Sequence, residues 1–463
     1  MTTDRLRGKK AEAMERLGDW EDWRERGRQI RAHTLAHLDA YLDQFDRQLA
    51  RKGGKLHYAE TGQEAVQMVL QIAQQAGARR IVKSKSMVSE EIHFNEALEQ
   101  MGCRVVETDL GEHIIQLAGE TPSHIIIPAI HKTREQIADL FSRIKRGEVS
   151  TETTALTAFA RQRLREEFLE ADIGVTGCNF AVAEAGAVCM VTNEGNGRMC
   201  NTLPPIHIVL MGMERIVPTW EDLEVMLTLL PRSATGQELT SYVSILQGPK
   251  GKGEYDGPRE LHVIIVDNGR SALLGDAEFQ EVLHCIRCGA CLNVCPVYRQ
   301  IGGHAYGSVY PGPIGAVLTP LLTQDWQRDG ELPYASTLCG ACAEACPVKI
   351  PLHDMLVSLR RIRVEKGMAA PGAKWLFKGY GYSFSTHKRY LRLLKSASRL
   401  QRPFVVQRRI RHAPPPLSAW THSRNLPQVA ETSFRDWWRK EQGGGSPSDQ
   451  PRQEHGSDEH GCG

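Results

Sequence analysis

At 463 residues, with 57 basic and 55 acidic side chains and a net charge of +2, the chain is long enough for two or three domains. So even a balance gives no reason to expect nucleic acid or an anionic membrane as partner. No segment reaches the roughly 18 apolar residues of a membrane span, and the N-terminus lacks the apolar core of a secretory signal, so a cytoplasmic chain with no membrane span is expected.

Residues 8–52 are rich in Ala, Glu, Arg, Leu and Gln, with Leu35, Leu38, Tyr41, Leu42 and Phe45 at three- and four-residue spacing. That pattern predicts amphipathic helices, which Gly53-Gly54 stops, giving an N-terminal helical region over 1–54. From Lys55 strands and helices alternate: strand at Lys55 to Ala59, helix at Gly62 to Ala76, strand at Arg80 to Lys83, helix at Val88 to Met101, strands at Arg104 to Glu107 and His124 to Ile127. Thr133 and Gln136 form a capping box for the next helix. This is an α/β layout, with helices covering a largely parallel sheet. After a charged helix around Ala155 to Glu170, apolar runs at Ile173 to Thr176, Ala187 to Thr192, Ile206 to Met211, Tyr242 to Leu246 and Leu261 to Val266 predict one large mixed sheet ending near Asp267. The α/β domain is expected over 55–275.

Residues 276–360 carry seven of the twelve cysteines. Cys285, Cys288, Cys291 and Cys295, followed by Pro296, form the full C-x2-C-x2-C-x3-C-P run of bacterial ferredoxins. Cys339, Cys342 and Cys346, followed by Pro347, repeat it without its first cysteine, and Ser336 falls where Cys285 would be. A [4Fe-4S] cube needs soft thiolates at its corners, and cysteines at every third residue of a short loop supply three while the fourth crosses to the neighbouring cube. Two [4Fe-4S] clusters are therefore expected: Cys285, Cys288, Cys291 and Cys346 for the first, and Cys295, Cys339 and Cys342 for the second. The fourth corner of the second stays open to Ser336, another thiol, a partner's side chain, water, or a [3Fe-4S] cluster. Zinc would want C-x2-C pairs about 12 to 20 residues apart, and disulfides an oxidising compartment.

The 43 residues between Cys295 and Cys339, with a helix-like Ala316 to Trp326, point to a helical two-cluster ferredoxin-type domain. Met355 to Lys366 is a basic amphipathic helix. Residues 361–442 are basic and Trp-rich, with Pro414-Pro415-Pro416 as a linker signal, and Trp420, Trp437 and Trp438 suit a partner surface and a local core equally. The tail over 443–463 reads as disordered, and Cys462 within it as adventitious.

Outside the cysteine loops, Asn193-Glu194-Gly195-Asn196-Gly197-Arg198 is either an anion-binding turn, with Arg198 gripping a carboxylate, or a tight turn needing positive φ. Lys83 to Ser89 follows a strand, where α/β sheets place ligands, yet Ser86 or Ser89 is equally an ordinary helix cap. Glu184 reads as a structural carboxylate rather than a catalytic one. His93, His131 and His207 read as structural histidines rather than acceptors of a hydroxyl proton. No catalytic residue is assigned.

Several motifs together resemble the LUD (lactate utilization) domain: Lys83 to His93, Glu107 to Glu112, Pro128 to Arg134, Thr176 to Glu184, Thr192 to Arg198, Leu203 to His207 and Pro231 to Gly236. With the cysteine loops and Trp-rich tail, residues 30–440 are similar to the lactate utilization protein B family, iron-sulfur proteins of bacterial L-lactate oxidation. The resemblance implies a NagB/RpiA/CoA-transferase-like core, and an electron carrier acting with lactate utilization proteins A and C as L-lactate becomes pyruvate. An alternative is a catalytic subunit binding a small hydroxy or keto acid, at an incompletely thiolate-ligated cluster or in the LUD pocket. A third is a CoA- or folate-handling LUD enzyme whose clusters are incidental.

Overall fold

The apolar spacing at the N-terminus produces three helices, α1 (Thr2–Leu17), α2 (Trp20–Ala36) and α3 (Leu38–Arg51), with Leu35, Leu38, Phe45 and Leu49 turned into the core. The computed structural model of the chain describes residues 2–370, 372–415 and 417–441, and these divide into two units after Lys366. The expected disordered tail and Cys462 lie outside the described residues.

In the first unit ten strands follow α3: β1 (Lys55–Ala59), β2 (Arg80–Lys83), β3 (Arg104–Glu107), β4 (Ile173–Gly177), β5 (Phe180–Val182), β6 (Ala187–Thr192), β7 (Ile206–Gly212), β8 (Ile216–Val217), β9 (Tyr242–Leu246) and β10 (Glu260–Val266). They form two sheets, not the single mixed sheet expected from sequence. Six strands in the order β1-β10-β7-β4-β2-β3 are all parallel. Four others, β8-β5-β6-β9, make a separate mixed sheet. Side chains alternate across the parallel sheet as strand geometry dictates. Ile81, Val105, Ile173, Val175, Ile208, Leu210, Ile264 and Val266 pack on one side against the helices Gly62–Gln75 and Phe94–Gln100. Val82 and Val106 pack on the other against Leu164 and Phe168. Each such fully buried aliphatic side chain contributes roughly 1.5–3 kcal/mol.

Two local expectations fail, each because of one histidine. The helix expected over Val88 to Met101 is two, Met87–Glu91 and Phe94–Gln100, because His93 turns left-handed at φ 54°. His124 to Ile127 is not a strand: Nδ1 of His124 accepts the N–H groups of Ile126 and Ile127 at 2.9 and 3.2 Å, replacing ladder bonds with a side-chain turn.

The cysteine-bearing stretch is helical as expected, and no strand occurs among its described residues. Its central helix is Gly312–Thr323 rather than Ala316 to Trp326, and Leu352–Glu365 closes the unit. No helix among the described residues is long and apolar enough to cross a membrane. The second unit, taken by itself, holds helices Ala373–Phe384, His387–Leu400 and Phe434–Glu441 and a three-stranded ribbon, and it leaves Trp420, Trp437 and Trp438 exposed.

Candidate functional site

Two turns of the cysteine-bearing stretch share one backbone shape. Arg287 (φ 58°) precedes Cys288 and Leu338 (φ 55°) precedes Cys339; Gly289 (φ 71°) and Gly340 (φ 80°) follow them. Each turn runs into a five-residue helix, Ala290–Val294 or Ala341–Ala345, which ends at Cys295 (φ −72°, ψ 119°) or Cys346 (φ −71°, ψ 121°). Left-handed conformations are costly for arginine and leucine. Their recurrence at matching positions shows that the two turns share one backbone shape, of the strained kind that collects at functional sites.

Cys285, Cys288, Cys291 and Cys346 line one small cavity, together with Ile125, Ile314, Val348 and Ile350. Burial, reinforced by the neighbouring Cys346, pushes the Cys288 thiol up to about 12, and burial with Cys285 and Cys288 pushes Cys291 well above the usual range. Sulfur atoms so crowded ionise together only around a cation. Main-chain N–H groups are aimed at the sulfurs: Arg287 at Cys285 and Ile350 at Cys346, both at 3.4 Å, and Tyr298 at Cys295 at 3.5 Å. Four convergent thiols with N–H donors fit an iron-sulfur cluster.

A second group forms beside the first. Cys342 is buried within electrostatic reach of Cys295 and Cys339, and Cys339 is exposed. The Thr337 hydroxyl and the Ala341 N–H hold Cys339 below the ordinary thiol range. Ser336 Oγ accepts the Leu338 N–H at 3.1 Å. The remaining described thiols belong to the α/β layer: Cys103 and Cys200 are in its cores, Cys189 is on β6, and Cys178 follows β4.

Sequence reasoning missed the cations that brace these loops from far along the chain. Lys10 donates to the Ala345 carbonyl at 2.5 Å, Arg24 to Cys346 and Ala343 at 2.9 and 3.0 Å, and Arg31 to Leu283 at 3.0 Å. Arg215, in the turn between β7 and β8, reaches the Cys285 carbonyl at 3.3 Å. Only the helical spacing of α1 and α2 hinted that one face was buried.

A cavity of about 250 Å³ opens at the carboxyl ends of β2, β4 and β7, where parallel sheets bind ligands. Ser84 to Val88, Thr176 to Asn179, Arg215 and Arg287 line it. Arg287 also lines the first thiol cavity. Its Nε and Nη1 are buried without a hydrogen-bond partner, and its guanidinium stacks on Tyr310 at 4.6 Å. Behind it, Arg270 pairs with Glu91 at 2.8 Å and Glu214 at 2.9 Å, and Tyr310 donates to Glu91 at 2.6 Å. Burial alone would raise Glu214, yet Arg270, Arg215 and Arg287 outweigh it and hold the carboxyl at about 2. An adjoining cavity of about 630 Å³ is lined by Lys85, Glu112 and His93, among others.

The candidates outside the loops resolve unevenly. Lys83 is not a ligand-facing cation but is buried in a pair with Glu90 and Glu107, whereas Ser86 caps the helix Met87–Glu91 and its loop also lines the cavity. Asn193 and Glu194 border that cavity, but Arg198 is exposed and does not. Glu184 accepts the Trp220 N–H at 2.9 Å, a structural contact. His207 is wholly buried against Thr176 at 2.9 Å, and burial lowers it to about 3. His131 pairs with Glu120 at 2.7 Å, and His93 is exposed.

Three family models match the chain: the LUD domain over 42–266, a 4Fe-4S dicluster domain over 281–350, and the lactate utilisation protein B C-terminal region over 359–443. The chain is 52% identical to lactate utilization protein B of Shouchella clausii over 95% of its length and 92% of that protein. It is 54% identical to that of Macrococcus caseolyticus (94% and 91% covered) and 53% to that of Bacillus pumilus (95% and 93%). A crystal structure of a DUF162 family protein from Deinococcus radiodurans covers 50% of this chain and 98% of its own at 17% identity, with a TM-score of 0.29.

Proposed function

This chain belongs to the lactate utilization protein B family, and from that premise we propose that it relays electrons while L-lactate is oxidised to pyruvate. Cys285, Cys288, Cys291 and Cys346 would hold one [4Fe-4S] cluster, and Cys295, Cys339 and Cys342 a second. Such clusters supply one-electron carrier chemistry when bound.

The observation that carries this reading is the crossing of the loops. Cys291, inside the helix Ala290–Val294, and Cys295, the residue just after it, stand four residues apart yet belong to different thiol groups, while Cys346 returns from the second loop to the first cavity. Two one-electron sites are thereby held side by side. Around the first, Ile125, Ile314, Val348 and Ile350 exclude water, and Arg287 and Arg215 supply positive charge that favours electron uptake. Exposed Cys339 gives the second site a face toward a partner. Lactate utilization proteins A and C are the partners proposed, in the cytoplasm, where thiols stay reduced.

The test is anoxic purification with iron and sulfide analysis, followed by reconstitution with proteins A and C and a lactate-dependent dye-reduction assay. Dye reduction should appear with all three proteins and collapse with Cys346→Ser or Cys295→Ser. Iron-free anoxic protein, or dye reduction that survives both substitutions, defeats the relay.

A second reading, direct binding of the hydroxy or keto acid in the LUD pocket, is favoured by one fact: Arg287 lines both that cavity and the first thiol cavity. Lactate or pyruvate should then perturb the EPR of the reduced first centre. Identical spectra with and without either acid would leave the relay reading alone.

A further inference from the structure

We propose that the Ser336 hydroxyl closes the second thiol group, supplying an oxygen ligand at the corner that Cys285 fills in the first. The inference rests on the two-cluster reading above and names the ligand which that reading leaves open.

Ser336 precedes Cys339 by the interval that separates Cys285 from Cys288. The match extends to atoms. Cys285 Sγ accepts the Arg287 N–H at 3.4 Å, and Ser336 Oγ accepts the Leu338 N–H at 3.1 Å. The donating residues share the left-handed conformation, φ 58° and 55°. Leucine has no polar side chain to compensate that conformation, so its turn keeps a costly shape that coincides with a cluster-binding one. Relative to its own turn, the hydroxyl oxygen therefore stands where the thiol sulfur stands in the first.

That position is fixed from outside the loop. Arg360 donates Nε to the Pro333 carbonyl and Nη2 to the Ser336 carbonyl, each at 3.0 Å, and lies over the Tyr334 ring at 5.0 Å. Among the described residues, the competing donors are placed elsewhere or occupied. Cys103, Cys178, Cys189 and Cys200 belong to the α/β layer, and the Thr337 hydroxyl is hydrogen-bonded to Cys339.

Ligation forms an Fe–Oγ bond and breaks the Oγ–H bond, the proton leaving to water at the exposed rim; no electron changes hands. Oxygen is a harder donor than sulfur and favours the oxidised iron. The second centre should therefore have a lower potential than it would with a thiolate in the same corner.

The experiment uses the full chain prepared under anoxia, as wild type, Ser336→Ala, Ser336→Cys and Thr337→Val. Iron and sulfide content, EPR of oxidised and reduced samples, and redox titration are read; none requires lactate turnover. The wild type should carry about eight irons, and Ser336→Ala should lose roughly one and show an oxidised [3Fe-4S] signal while the first centre's signal stays unchanged. Ser336→Cys should keep full iron and raise the second midpoint, and Thr337→Val, which loses only a hydrogen bond to Cys339, should keep the wild-type iron content and cluster type while its midpoint shifts. The proposal is overturned if Ser336→Ala keeps wild-type iron, line shape and midpoint, or if Thr337→Val causes the loss instead. It is equally overturned if the wild type shows ¹⁷O-water coupling at the second centre or a [3Fe-4S] signal of its own, readouts that need no variant to fold. A wild-type chain with fewer than two centres defeats the two-cluster reading itself, and the missing second signal identifies that failure before any substitution is made.

Discussion

The guanidinium of Arg24 bridges two carbonyls of the second loop, donating Nε to Cys346 at 2.9 Å and Nη2 to Ala343 at 3.0 Å. Those carbonyls lie at the end of a five-residue helix, where each accepts one main-chain N–H, from Cys346 and Lys349, and keeps a second lone pair for the guanidinium. Lys10 and Arg31 meet the carbonyls of Ala345 and Leu283 in the same way. The N-terminal helices are thus part of the frame that holds the thiols.

Removing that bridge should loosen the first centre before it unfolds the chain. Arg24 is 13% exposed, and charge-assisted bonds are worth about 1.5–3 kcal/mol each, so Arg24→Ala should cost on the order of 3 kcal/mol locally. Chelator-driven bleaching of the visible absorbance should be faster than in the wild type. Arg24→Lys should fall between them, because an ammonium cannot span both carbonyls as a planar fork does. Wild-type bleaching by Arg24→Ala would rule out the framing role.

The charge around the first thiol group predicts an effect on its potential. A unit charge about 8 Å from a redox centre, at an effective dielectric of about 20, contributes about 2 kcal/mol, or on the order of 80 mV for one electron. Positive charge stabilises the reduced state. Arg287→Gln should therefore lower the midpoint of the first centre by tens of millivolts and shift the second less, as followed by EPR-monitored titration. A rise, or no change, would show that Arg287 does not act on the centre electrostatically.

How much of this was legible in the chain depends on distance along it. Cysteine spacing set out both loops, and the strands at Lys55–Ala59, Arg80–Lys83, Arg104–Glu107 and Tyr242–Leu246 occur with the boundaries their apolar runs suggested. Alternation says which residues share a face but not which strands pair, so the division into two sheets was hidden. His93 breaks a helix without glycine or proline to announce it, and His124 spends its ring on a local turn while touching Asn293 at 3.2 Å. Lys10, Arg24 and Arg31 look like solvent-facing helix charges until the loops they brace are folded beside them. Leu338 carries no local sign of its left-handed turn; only its alignment with Arg287 reveals it.

Glu112 predicts a pH dependence of stability. It contacts Lys85 at 2.5 Å, yet burial dominates and pushes its carboxyl up to about 7, from an ordinary 4.5. A folded-state value raised above the unfolded one gives stability that is complete below pH 4.5 and is lost as pH rises through about 7. A tenfold change in proton affinity is worth about 1.4 kcal/mol, so the rise from 4.5 to about 7 sets an upper limit of about 3 kcal/mol. Glu112→Gln should show a flatter decline of Tm over that window. A Tm difference from the wild type that stays constant across it would exclude the assignment.

Lys83 offers the sharpest stability test, because its charge is wholly enclosed. Nζ meets Glu107 at 2.7 Å, Glu90 at 2.8 Å and the Ser89 hydroxyl at 2.8 Å, all at the carboxyl end of β2. Lys83→Met leaves Glu107, itself only 4% exposed, without its cation, and breaking a buried pair from one side costs about 3–5 kcal/mol. Lys83→Met combined with Glu107→Gln removes the stranded charge as well and should recover a large part of that loss. Urea midpoints of the wild type, both single variants and the double variant form a cycle whose coupling should exceed about 1 kcal/mol. Additive losses would mean that the pair is not coupled in the folded chain. Because Ser84 to Val88 continue from this residue into the cavity wall, Lys83→Met should also weaken any carboxylate that the cavity binds, whereas the double variant should restore it in step with stability.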